Sequence, residues 1–396
     1  MNKTVYLKRG KEESLLRFHP WIFSGAIHHI DHGINEGDVV RVVSADNAFI
    51  ALGHYQGGSI AVRVLTFSDV DIDETFWRSR LQSALDMRKA IGLVDNSKTN
   101  AYRLVHGEGD QLPGLIIDIY DHTAVMQAHS IGMHKIRHAI AEALAAVMGE
   151  RINSIYYKSE TTLSFMEPEN GFIMGSTEDN IALENGLRFY VDWLKGQKTG
   201  FFVDQRENRA LVERYAAGRK VLNMFCYTGG FSVYAMRGGA QLVHSVDSSA
   251  KAIELTRRNM ELNYPSDKRH KAICEDAFKF LDNVECRDDS QPCYDLIILD
   301  PPAFAKHRGA LHNALKGYTR INNKAFEKIA PGGILFTFSC SQVVTKDHFR
   351  NAVFTAAAQA KRNVRILHQL HQPADHPINI YHPEGEYLKG LVLYVE

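Results

Sequence analysis

The sequence lacks any excess of charge of one sign. Its 396 residues carry 46 Lys and Arg against 46 Asp and Glu, so the formal net charge is zero. A globally basic surface is the usual electrostatic signature of a nucleic-acid-binding domain, and the composition excludes one here. Any contact with a polyanion has to come from a local group of basic residues.

Long apolar runs are also absent. No run approaches the roughly 18 apolar residues that a membrane-spanning helix needs. The N-terminal stretch MNKTVYLKRGKEESLL contains no uninterrupted apolar segment of the kind found in signal peptides. We therefore expect a cytoplasmic protein with no membrane partner.

Cysteine is scarce and scattered. An odd number of widely spaced cysteines in a long chain does not suit a disulfide framework and indicates free thiols. Cys286 and Cys293 lie seven residues apart with no matching second pair, which disfavours a zinc site. The five cysteines are Cys226, Cys274, Cys286, Cys293 and Cys340.

Histidines cluster near the C-terminus, in HQLHQPADHPINIYHPEG. Their spacing matches no usual zinc pattern, so we expect no metal and place these side chains in loops or at the edge of a substrate site. The four are His368, His371, His376 and His382.

The sequence pattern changes twice along the chain. Residues 1–72 contain short alternating strands broken by turns, which predicts a small β-rich domain. Residues 73–195 begin with an amphipathic helix and continue with strands, which predicts a compact α+β domain. In residues 196–396 apolar runs alternate with helical segments. Three domains are therefore expected.

Five apolar runs rich in β-formers organise the third region: VLNMF, QLVHSVD, HKAICED, YDLIILD and GILFTFSC. Strands that alternate with helices predict an α/β fold with a doubly wound, mainly parallel sheet. Such sheets bind ligands outside the carboxyl ends of their strands. The residues that follow each run are therefore the first candidates for a functional site.

The first three strand ends carry residues suited to an adenosine-containing ligand. Gly229 and Gly230 allow a tight turn that brings backbone close to a ligand. Asp247 follows at a spacing from which an acid reaches ribose hydroxyls, and Asp276 could meet an adenine edge. A plain turn and two helix N-caps would explain the same residues one at a time. Their occurrence at three successive strand ends favours a ligand cleft.

The fourth strand ends in LDPPAF. Pro301 and Pro302 stiffen the backbone and prevent a helix from starting at once, which would hold Asp300 at the mouth of the cleft. A proline-rich turn with Asp300 as a helix N-cap is the alternative. The fingerprint G-x-G-x-x-G does not occur at the first strand end, which disfavours a nicotinamide oxidoreductase.

From about residue 200 the chain resembles the class I S-adenosylmethionine-dependent methyltransferases, through NMFCYTGGF, SVD, CEDAF and LDPP. Four longer strings, RFHPWIFSGAI, GQKTGFFVDQRENR, FSCS and HPEGEYLKG, are similar to the bacterial large-subunit rRNA cytosine-5 methyltransferases with an N-terminal PUA domain. This resemblance implies an RNA-binding PUA domain, a middle domain and a Rossmann-like catalytic domain. Its seven-stranded sheet would end on an antiparallel strand, expected in YLKGLVLYVE.

The resemblance implies S-adenosylmethionine as the cofactor. Independently, Arg206 could pair with the methionyl carboxylate, because a guanidinium matches a carboxylate in a bidentate manner. An exposed arginine on a surface helix is the alternative. The residues expected to bind the cofactor are Phe201, Asp204, Gln205, Arg206, Asn223, Phe225, Tyr227, Thr228, Gly229, Asp247, Asp276, Ala277 and Asp300.

Catalysis at carbon 5 of cytosine requires a nucleophile, because that carbon is too weakly nucleophilic on its own. The resemblance assigns this role to Cys340, and Asp300 would bond to the N3/N4 edge of the base. Inert packing is the alternative for Cys340, and Cys226 is a weaker candidate because it faces the cofactor. Many family members carry a second cysteine where this chain has Ala303, so another group has to release the adduct.

The implied partner is 23S rRNA or a precursor of the large ribosomal subunit, and a homodimer is possible. Lys8, Arg9 and Arg17 lie near aromatic residues and could contact phosphates, although a charged strand edge would look the same. Further RNA contacts are expected from Lys198, Pro302 and Phe304.

Two other functions are compatible with these residues. The first is a methyltransferase for another base, such as guanine, in which Cys340 is only structural. The second is a non-catalytic RNA-binding protein that acts in ribosome assembly and keeps the cofactor fold for structural reasons.

Overall fold

The computed structural model describes residues 3–160, 162–163, 169–176, 180–284, 294–305 and 307–396. The chain divides into two compact units. The first comprises Met1–Gly186, Val191–Val203 and Ala374–Gly385, and the second comprises Leu187–Tyr190, Asp204–Pro373 and Glu386–Glu396. The domain boundaries expected at residues 72 and 195 stay predictions.

The first unit opens with a six-stranded sheet in the order β2-β6-β5-β4-β1-β3. Apolar residues alternate along these strands, and one face buries Val5, Val40, Val42 and Val62. The predicted β-rich module is confirmed. Its elements are β1 Thr4–Leu7, α1 Glu13–Leu16, β2 Trp21–Phe23, β3 Ile27–Ile30, β4 Val39–Val43, β5 Phe49–Tyr55 and β6 Ile60–Thr66.

A second sheet, in the order β11-β10-β9-β8-β7, packs with helices in the same unit. The amphipathic helix predicted at the start of residues 73–195 begins there, because the carboxylate of Asp73 caps it and accepts from the Phe76 N–H at 2.9 Å. The elements are α2 Glu74–Ala90, β7 Ala101–His106, β8 Leu115–Tyr120, β9 Thr123–Ala128, α3 Ile131–Lys135, α4 Arg137–Met148, β10 Ser154–Lys158, β11 Asn170–Met174 and β12 Ile181–Glu184.

Buried ion pairs attach the late segment Ala374–Gly385 to the early part of this unit. The Arg88 side chain is fully buried and donates to the Asp110 carboxylate at 2.8 Å and to the Asp375 carbonyl at 2.7 Å. The backbone N–H of Arg103 donates to the Asp375 carboxylate at 3.0 Å. Each buried charge is therefore paired or hydrogen-bonded, as the low dielectric of the interior requires.

The second unit contains a seven-stranded sheet in the order β16-β15-β14-β17-β18-β20-β19. All pairs are parallel except those of β20, which runs antiparallel to both of its neighbours. The predicted doubly wound sheet with an antiparallel last strand is confirmed. The second unit also contains β13 Leu187–Tyr190, which is not part of this sheet. The seven strands of the sheet are β14 Lys220–Met224, β15 Leu242–Asp247, β16 His270–Cys274, β17 Tyr294–Leu299, β18 Ile329–Ser339, β19 Val364–His371 and β20 Lys389–Val395.

Helices connect these strands, and their apolar faces cover the sheet. No helix of the described residues combines the length and apolar character needed to cross a bilayer. The helices are α5 Arg206–Tyr215, α6 Gly230–Arg237, α7 Ala250–Asn263, α8 Ala277–Asn283, α9 Leu311–Lys328 and α10 Lys346–Gln359.

Two of the four C-terminal histidines lie in a strand and not in a loop, and a place for them at the edge of a substrate site stays a prediction. His368 and His371 belong to β19, an edge strand paired with β20. Backbone hydrogen bonds hold this strand while most of its side chains face solvent, so no apolar run marks it in the sequence. His376 and His382 lie outside helices and strands, as expected.

A buried histidine makes the first unit sensitive to acid. His54 on β5 is 2% exposed and stacks on Trp77 with ring centroids 6.2 Å apart. Neither ring nitrogen has a hydrogen-bond partner among the described residues. Burial lowers the pKa of His54 to about 4, because the charged ring would lose its hydration.

Replacement of His54 by Phe should therefore reduce the acid sensitivity of folding. The unfolded chain binds the proton near pH 6.5 and the folded chain only near pH 4, so stability falls as the pH drops through this interval. The His54→Phe variant should lose up to about 1.4 kcal/mol per pH unit of that slope. Urea unfolding between pH 4 and 7 measures it, and an unchanged slope would contradict the assignment.

Candidate active site

The carboxyl ends of four parallel strands form one edge of the second unit. β14 lies between β15 and β17, and the strand order reverses at this point. The loop after β14, Asp247 after β15 and Asp300 after β17 are therefore neighbours. A reversal of strand order is the usual ligand position in a doubly wound sheet.

The loop after β14 has a strained backbone that surrounding side chains hold in place. Phe225 and Tyr227 have positive φ angles of 57° and 48°, in the left-handed region that costs non-glycine residues energy. The Thr256 hydroxyl donates to the Tyr227 carbonyl at 2.9 Å, and the Asn259 amide donates to the Thr228 carbonyl at 2.8 Å. Two side chains of helix α7 thus hold the loop in this conformation.

Gly229 closes the same loop with a φ of 77°. A Cβ atom at this position would lie 2.7 Å from the Thr256 Cγ2 atom, so a larger residue does not fit. Helix α6 begins at the next residue.

Asp247 is held with both carboxylate oxygens engaged. Oδ2 accepts from the Tyr227 N–H at 3.0 Å, and Oδ1 accepts from the Ser249 N–H at 2.9 Å. The side chain is half-buried and keeps further lone pairs for a ligand. This geometry fits a carboxylate that binds ribose hydroxyls.

Asp276 acts differently in the structure. Its Oδ1 atom accepts from the Phe278 and Lys279 N–H groups, each at 3.0 Å, and so caps helix α8. The N-cap alternative is therefore confirmed for Asp276. Cofactor contacts by Asp276 and by Ala277, the buried first residue of α8, stay predictions.

Asn223 is fully buried at the end of β14. Its amide donates to the Ser232 hydroxyl at 2.9 Å. Its carbonyl oxygen is buried with no hydrogen-bond partner among the described residues. An unsatisfied buried acceptor beside the loop is costly, and a donor from a ligand or a water molecule would satisfy it.

The segment before α5 reaches the same strand ends. The Gln205 amide donates to the Asp300 carboxylate at 3.0 Å, and the Tyr387 hydroxyl donates to the Asp204 carboxylate at 2.7 Å. The alternative of an exposed Arg206 is wrong, because this side chain is buried at the start of α5. Its pairing with a methionyl carboxylate stays a prediction.

Two expected contact residues belong to the first unit. The Phe201 side chain is buried there, and its carbonyl accepts from the Tyr120 hydroxyl at 3.4 Å. Lys198 is exposed, with its ammonium 4.4 Å from the centroid of the Phe202 ring. Their contacts with cofactor and RNA stay predictions.

Cys340 follows the last residue of β18 and is partly exposed between two anchored serines. The Ser339 hydroxyl donates to the Tyr318 phenol oxygen at 2.9 Å, and the Ser341 hydroxyl donates to the Ala305 carbonyl at 2.6 Å. Helix α10 begins after its N-cap Thr345. The strand end therefore presents the thiol in a fixed position.

The loop after β17 packs beside this cysteine. Phe304 lies on Tyr318 with ring centroids 4.7 Å apart, and Pro302 is exposed. Burial raises the pKa of Tyr318 to about 12, so its phenol stays neutral at physiological pH. Leu299 pairs with Thr337 in the parallel register of β17 and β18, so Asp300 and Cys340 follow the ends of neighbouring strands, and the Ser339–Tyr318 hydrogen bond brings the phenol to the same edge.

The other cysteines are unsuited to nucleophilic attack or lie elsewhere. Cys226 is buried, and burial raises the pKa of its thiol, so it stays protonated. Cys274 was expected inside an apolar strand, but it is exposed at the end of β16. Cys286 and Cys293 lie outside the described residues.

The described residues contain no group of three or more His, Cys, Asp or Glu side chains that could hold a metal ion. The C-terminal histidines have other contacts: His368 with the Tyr215 hydroxyl at 2.8 Å, His376 with Asp375 at 3.1 Å, and His382 with the Trp21 ring.

The first unit contains a cavity of about 460 Å³. Phe18 and Tyr381, which are 47% and 50% exposed, line it with ring centroids 5.3 Å apart. Arg80 also lines it and donates to the Leu65 carbonyl at 3.2 Å, while its Nε is buried without a hydrogen-bond partner in the described part of the chain. Aromatic faces beside a guanidinium suit a base and its phosphate.

The three basic residues predicted to contact RNA are exposed in the same unit. The Lys8 ammonium donates to the Gly25 carbonyl at 2.9 Å. Arg9 pairs with Asp46 at 2.7 Å, which neutralises part of its charge. Arg17 follows helix α1. Their contacts with RNA stay predictions.

Comparison with family models identifies the chain. A model described as S-adenosylmethionine-dependent methyltransferase matches residues 126–385, and a model of a PUA-like domain matches residues 5–67. The chain belongs to the S-adenosylmethionine-dependent methyltransferases. Two relatives called ribosomal RNA large subunit methyltransferase I support this: those of Aeromonas hydrophila (41% identity) and Tolumonas auensis (42%), each aligned over 99% of both chains.

Solved structures show the same fold. A protein from Streptococcus mutans described as a SAM-dependent methyltransferase has a TM-score of 0.84 at 23% identity. A methyltransferase complexed with SAH has a TM-score of 0.85 at 24% identity. Each alignment covers 99% of both chains.

The cofactor of this methyltransferase is S-adenosylmethionine, and the strand ends fit it. The glycine-closed loop leaves backbone accessible, the Asp247 carboxylate is held at the neighbouring strand end, and Asn223 keeps an unsatisfied acceptor. These groups would hold the adenosyl part. When bound, the cofactor supplies an electrophilic methyl group.

Replacement of Asp247 by Asn should weaken cofactor binding. The amide loses the charge that strengthens hydrogen bonds to ribose, and its NH₂ group opposes the Tyr227 N–H. Hydrogen bonds to a charged group contribute about 1.5–3 kcal/mol, so calorimetry should show a dissociation constant about 10- to 100-fold higher.

A matched control is Asp267→Asn, which alters a half-buried acid paired with Arg269 before β16. This control should bind S-adenosylmethionine like the wild type. Equal affinities of the wild type and the Asp247→Asn variant would contradict the ribose assignment.

Proposed function

We propose that the protein methylates carbon 5 of a cytosine in 23S rRNA, using Cys340 as a covalent nucleophile. The observation that carries this proposal is the position of Cys340, a partly exposed thiol at a strand end beside Asp300 and Tyr318. The names of the full-length relatives support large-subunit rRNA as the substrate. A ribosomal substrate also supports a location in the cytoplasm.

In the proposed chemistry the Cys340 thiolate is first the nucleophile and later the leaving group. The Cys340 thiolate adds to carbon 6 of the cytosine, and the electron pair of the 5,6 double bond becomes available at carbon 5 for bond formation with the methyl group. A base then removes the proton at carbon 5. The electrons of that C–H bond restore the 5,6 double bond, and the thiolate leaves.

Asp300 is the proposed partner of the N3/N4 edge of the base. Its carboxylate is oriented by the Gln205 amide at 3.0 Å, which itself is held by Asn208 at 2.6 Å. At this edge Asp300 accepts from the N4 amino group and, in its protonated form, donates to N3, which neutralises the negative charge that develops on the ring during thiolate addition. Ala303 cannot act as a second nucleophile, so release of the adduct depends on another base or on water.

The PUA-like sheet and the cavity lined by Phe18 and Tyr381 are proposed to hold an unpaired part of the RNA. Enzymes that modify a base need it unpaired or extruded, and unpaired bases stack on aromatic side chains. The guanidinium of Arg80 would meet a phosphate. Arg80 would supply the local positive charge that RNA binding needs in a chain with a net charge of zero.

Replacement of Cys340 by Ser should reduce methylation by at least about a thousandfold, because a hydroxyl is a far weaker nucleophile at neutral pH. Transfer of labelled methyl groups to rRNA measures the rate. The control is Cys274→Ser, which removes the exposed thiol at the end of β16 and should keep full activity.

RNA with fluorine at carbon 5 of the target cytosine sharpens this test. A base can remove a proton from carbon 5 but cannot remove fluorine, so the thiolate cannot be released. A protein–RNA adduct should therefore accumulate with the wild type and be absent with Cys340→Ser. Retained methylation by the Ser variant would instead indicate another target base, such as guanine. RNA binding without any methyl transfer by the wild type would indicate a role in ribosome assembly alone.

Replacement of Phe18 and Tyr381 by Ala should weaken binding of single-stranded RNA. Stacking on one base contributes about 1–3 kcal/mol, so the dissociation constant should rise at least about tenfold, with unchanged S-adenosylmethionine affinity. Fluorescence anisotropy of a labelled oligonucleotide measures this. Phe354→Ala is the control, since Phe354 is 71% exposed on α10, and an equal loss in that variant would refute the cavity as an RNA site.

A further inference from the structure

A buried lysine lies directly beneath the turn that follows Cys340. Lys389 is the first residue of β20 and only 5% exposed. Its ammonium donates to the Ser341 carbonyl at 2.5 Å and to the Val344 carbonyl at 2.6 Å. The two carbonyls belong to the short segment between the cysteine and helix α10, so this side chain holds both ends of that turn.

The sheet register places the lysine there. β18 and β20 are antiparallel, and Lys389 pairs with Ser339, the residue immediately before Cys340. The lysine and the cysteine are therefore brought together by backbone hydrogen bonds of two central strands. Loop movement is not needed to bring the two groups together.

Among the charged and titratable groups around the Lys389 ammonium, Cys340 is the one whose anionic form the ammonium stabilises most. Glu386 is the acid that acts on Lys389, but it forms an ion pair with Lys346 at 2.5 Å. Lys346 itself repels the ammonium. Tyr318, which accepts from the Ser339 hydroxyl, stays neutral because burial raises its pKa to about 12.

Burial of this charge is costly without a compensating interaction. Burial lowers the pKa of Lys389 to about 8, while interaction with Cys340 opposes that decrease. At pH 7 the ammonium is still mostly protonated. Because electrostatic interaction is mutual, a charge that gains from an anionic Cys340 stabilises that anion equally.

We propose that Lys389 is a positioning residue that keeps Cys340 in its thiolate form and fixes the turn that presents it. The thiol proton leaves to solvent, to which Cys340 is partly exposed, and Lys389 retains its own protons throughout. The inference rests on the proposed nucleophilic function of Cys340. It adds the source of the positive charge that a reactive cysteine needs.

Alkylation by iodoacetamide tests this without RNA or methyl transfer. Mass spectrometry of individual peptides gives the rate at each cysteine from pH 5 to 10. In the wild type, Cys340 should titrate at least one pH unit below Cys274, which is exposed at the end of β16. Titration of Cys340 at or above the pH of Cys274 would overturn the proposal, with no variant required.

Two variants then separate charge from packing. Lys389→Met fills the space without charge and should move the Cys340 titration upward by at least one pH unit, which slows alkylation at pH 7 about tenfold. Lys389→Arg keeps the charge and should restore most of the reactivity. Thermal unfolding and S-adenosylmethionine affinity verify that each variant is folded.

A merely structural role gives a different result. Lys389→Met would then lower the melting temperature but leave the pH profile of Cys340 unchanged, and the proposal would be wrong. The proposed function fails separately, through retained methylation by Cys340→Ser. If Cys340→Ser still methylates rRNA while Lys389→Met raises the pH at which Cys340 titrates, the proposed function is wrong and the action of Lys389 on the thiol still holds.

Discussion

Parallel alignment of β14, β17 and β18 is the constraint on which the site depends. Met224 pairs with Leu299, and Leu299 pairs with Thr337, so three successive strands end at nearly the same level. The strands are apolar because helices cover both faces. Polar side chains are therefore concentrated at the strand ends and just beyond them, where the proposed nucleophile Cys340 and the residues expected to bind the cofactor lie.

The geometry of the strand ends depends on neighbouring side chains that hold the loops and acids in place, as much as on the site residues themselves. The loop after β14 is strained, and Thr256 and Asn259 on α7 stabilise it by binding its carbonyls. Gln205 orients Asp300, and Tyr387 orients Asp204. Each of these contacts joins residues far apart in the chain. The precision of the strand ends thus comes from helices and from the C-terminal strand, in addition to the sheet itself.

Much of this arrangement could be predicted from the sequence, for physical reasons. Central strands are apolar runs, so the five parallel strands and their ends were recognisable, including the position of Cys340 at the end of the fifth. Edge strand β19 gave no such signal, because backbone pairing rather than burial holds it. Asp276 was ambiguous, since a helix cap and a ligand-binding acid occupy the same kind of position.

Other features depend on contacts that no local pattern reports. Lys389 lies in the string YLKG, and only the register between β18 and β20 shows that it is buried beneath Cys340. The cavity in the first unit combines Phe18, Arg80 and Tyr381 from three distant segments. The sequence pointed to Lys8 and Arg9 instead, because clustered charge is visible along a chain and a shared cavity is not.

The late segment Ala374–Gly385 belongs to the first unit, and this affects the order in which the unit can fold during synthesis on the ribosome. Arg88 and Arg103 have partners nearby in sequence, Asp110 and Asp118, and complete their bonding with Asp375. Asp375 is translated 287 residues after Arg88 and 272 residues after Arg103. The N-terminal part thus emerges first but completes its native contacts last, which delays its final form until the catalytic strands have been synthesised.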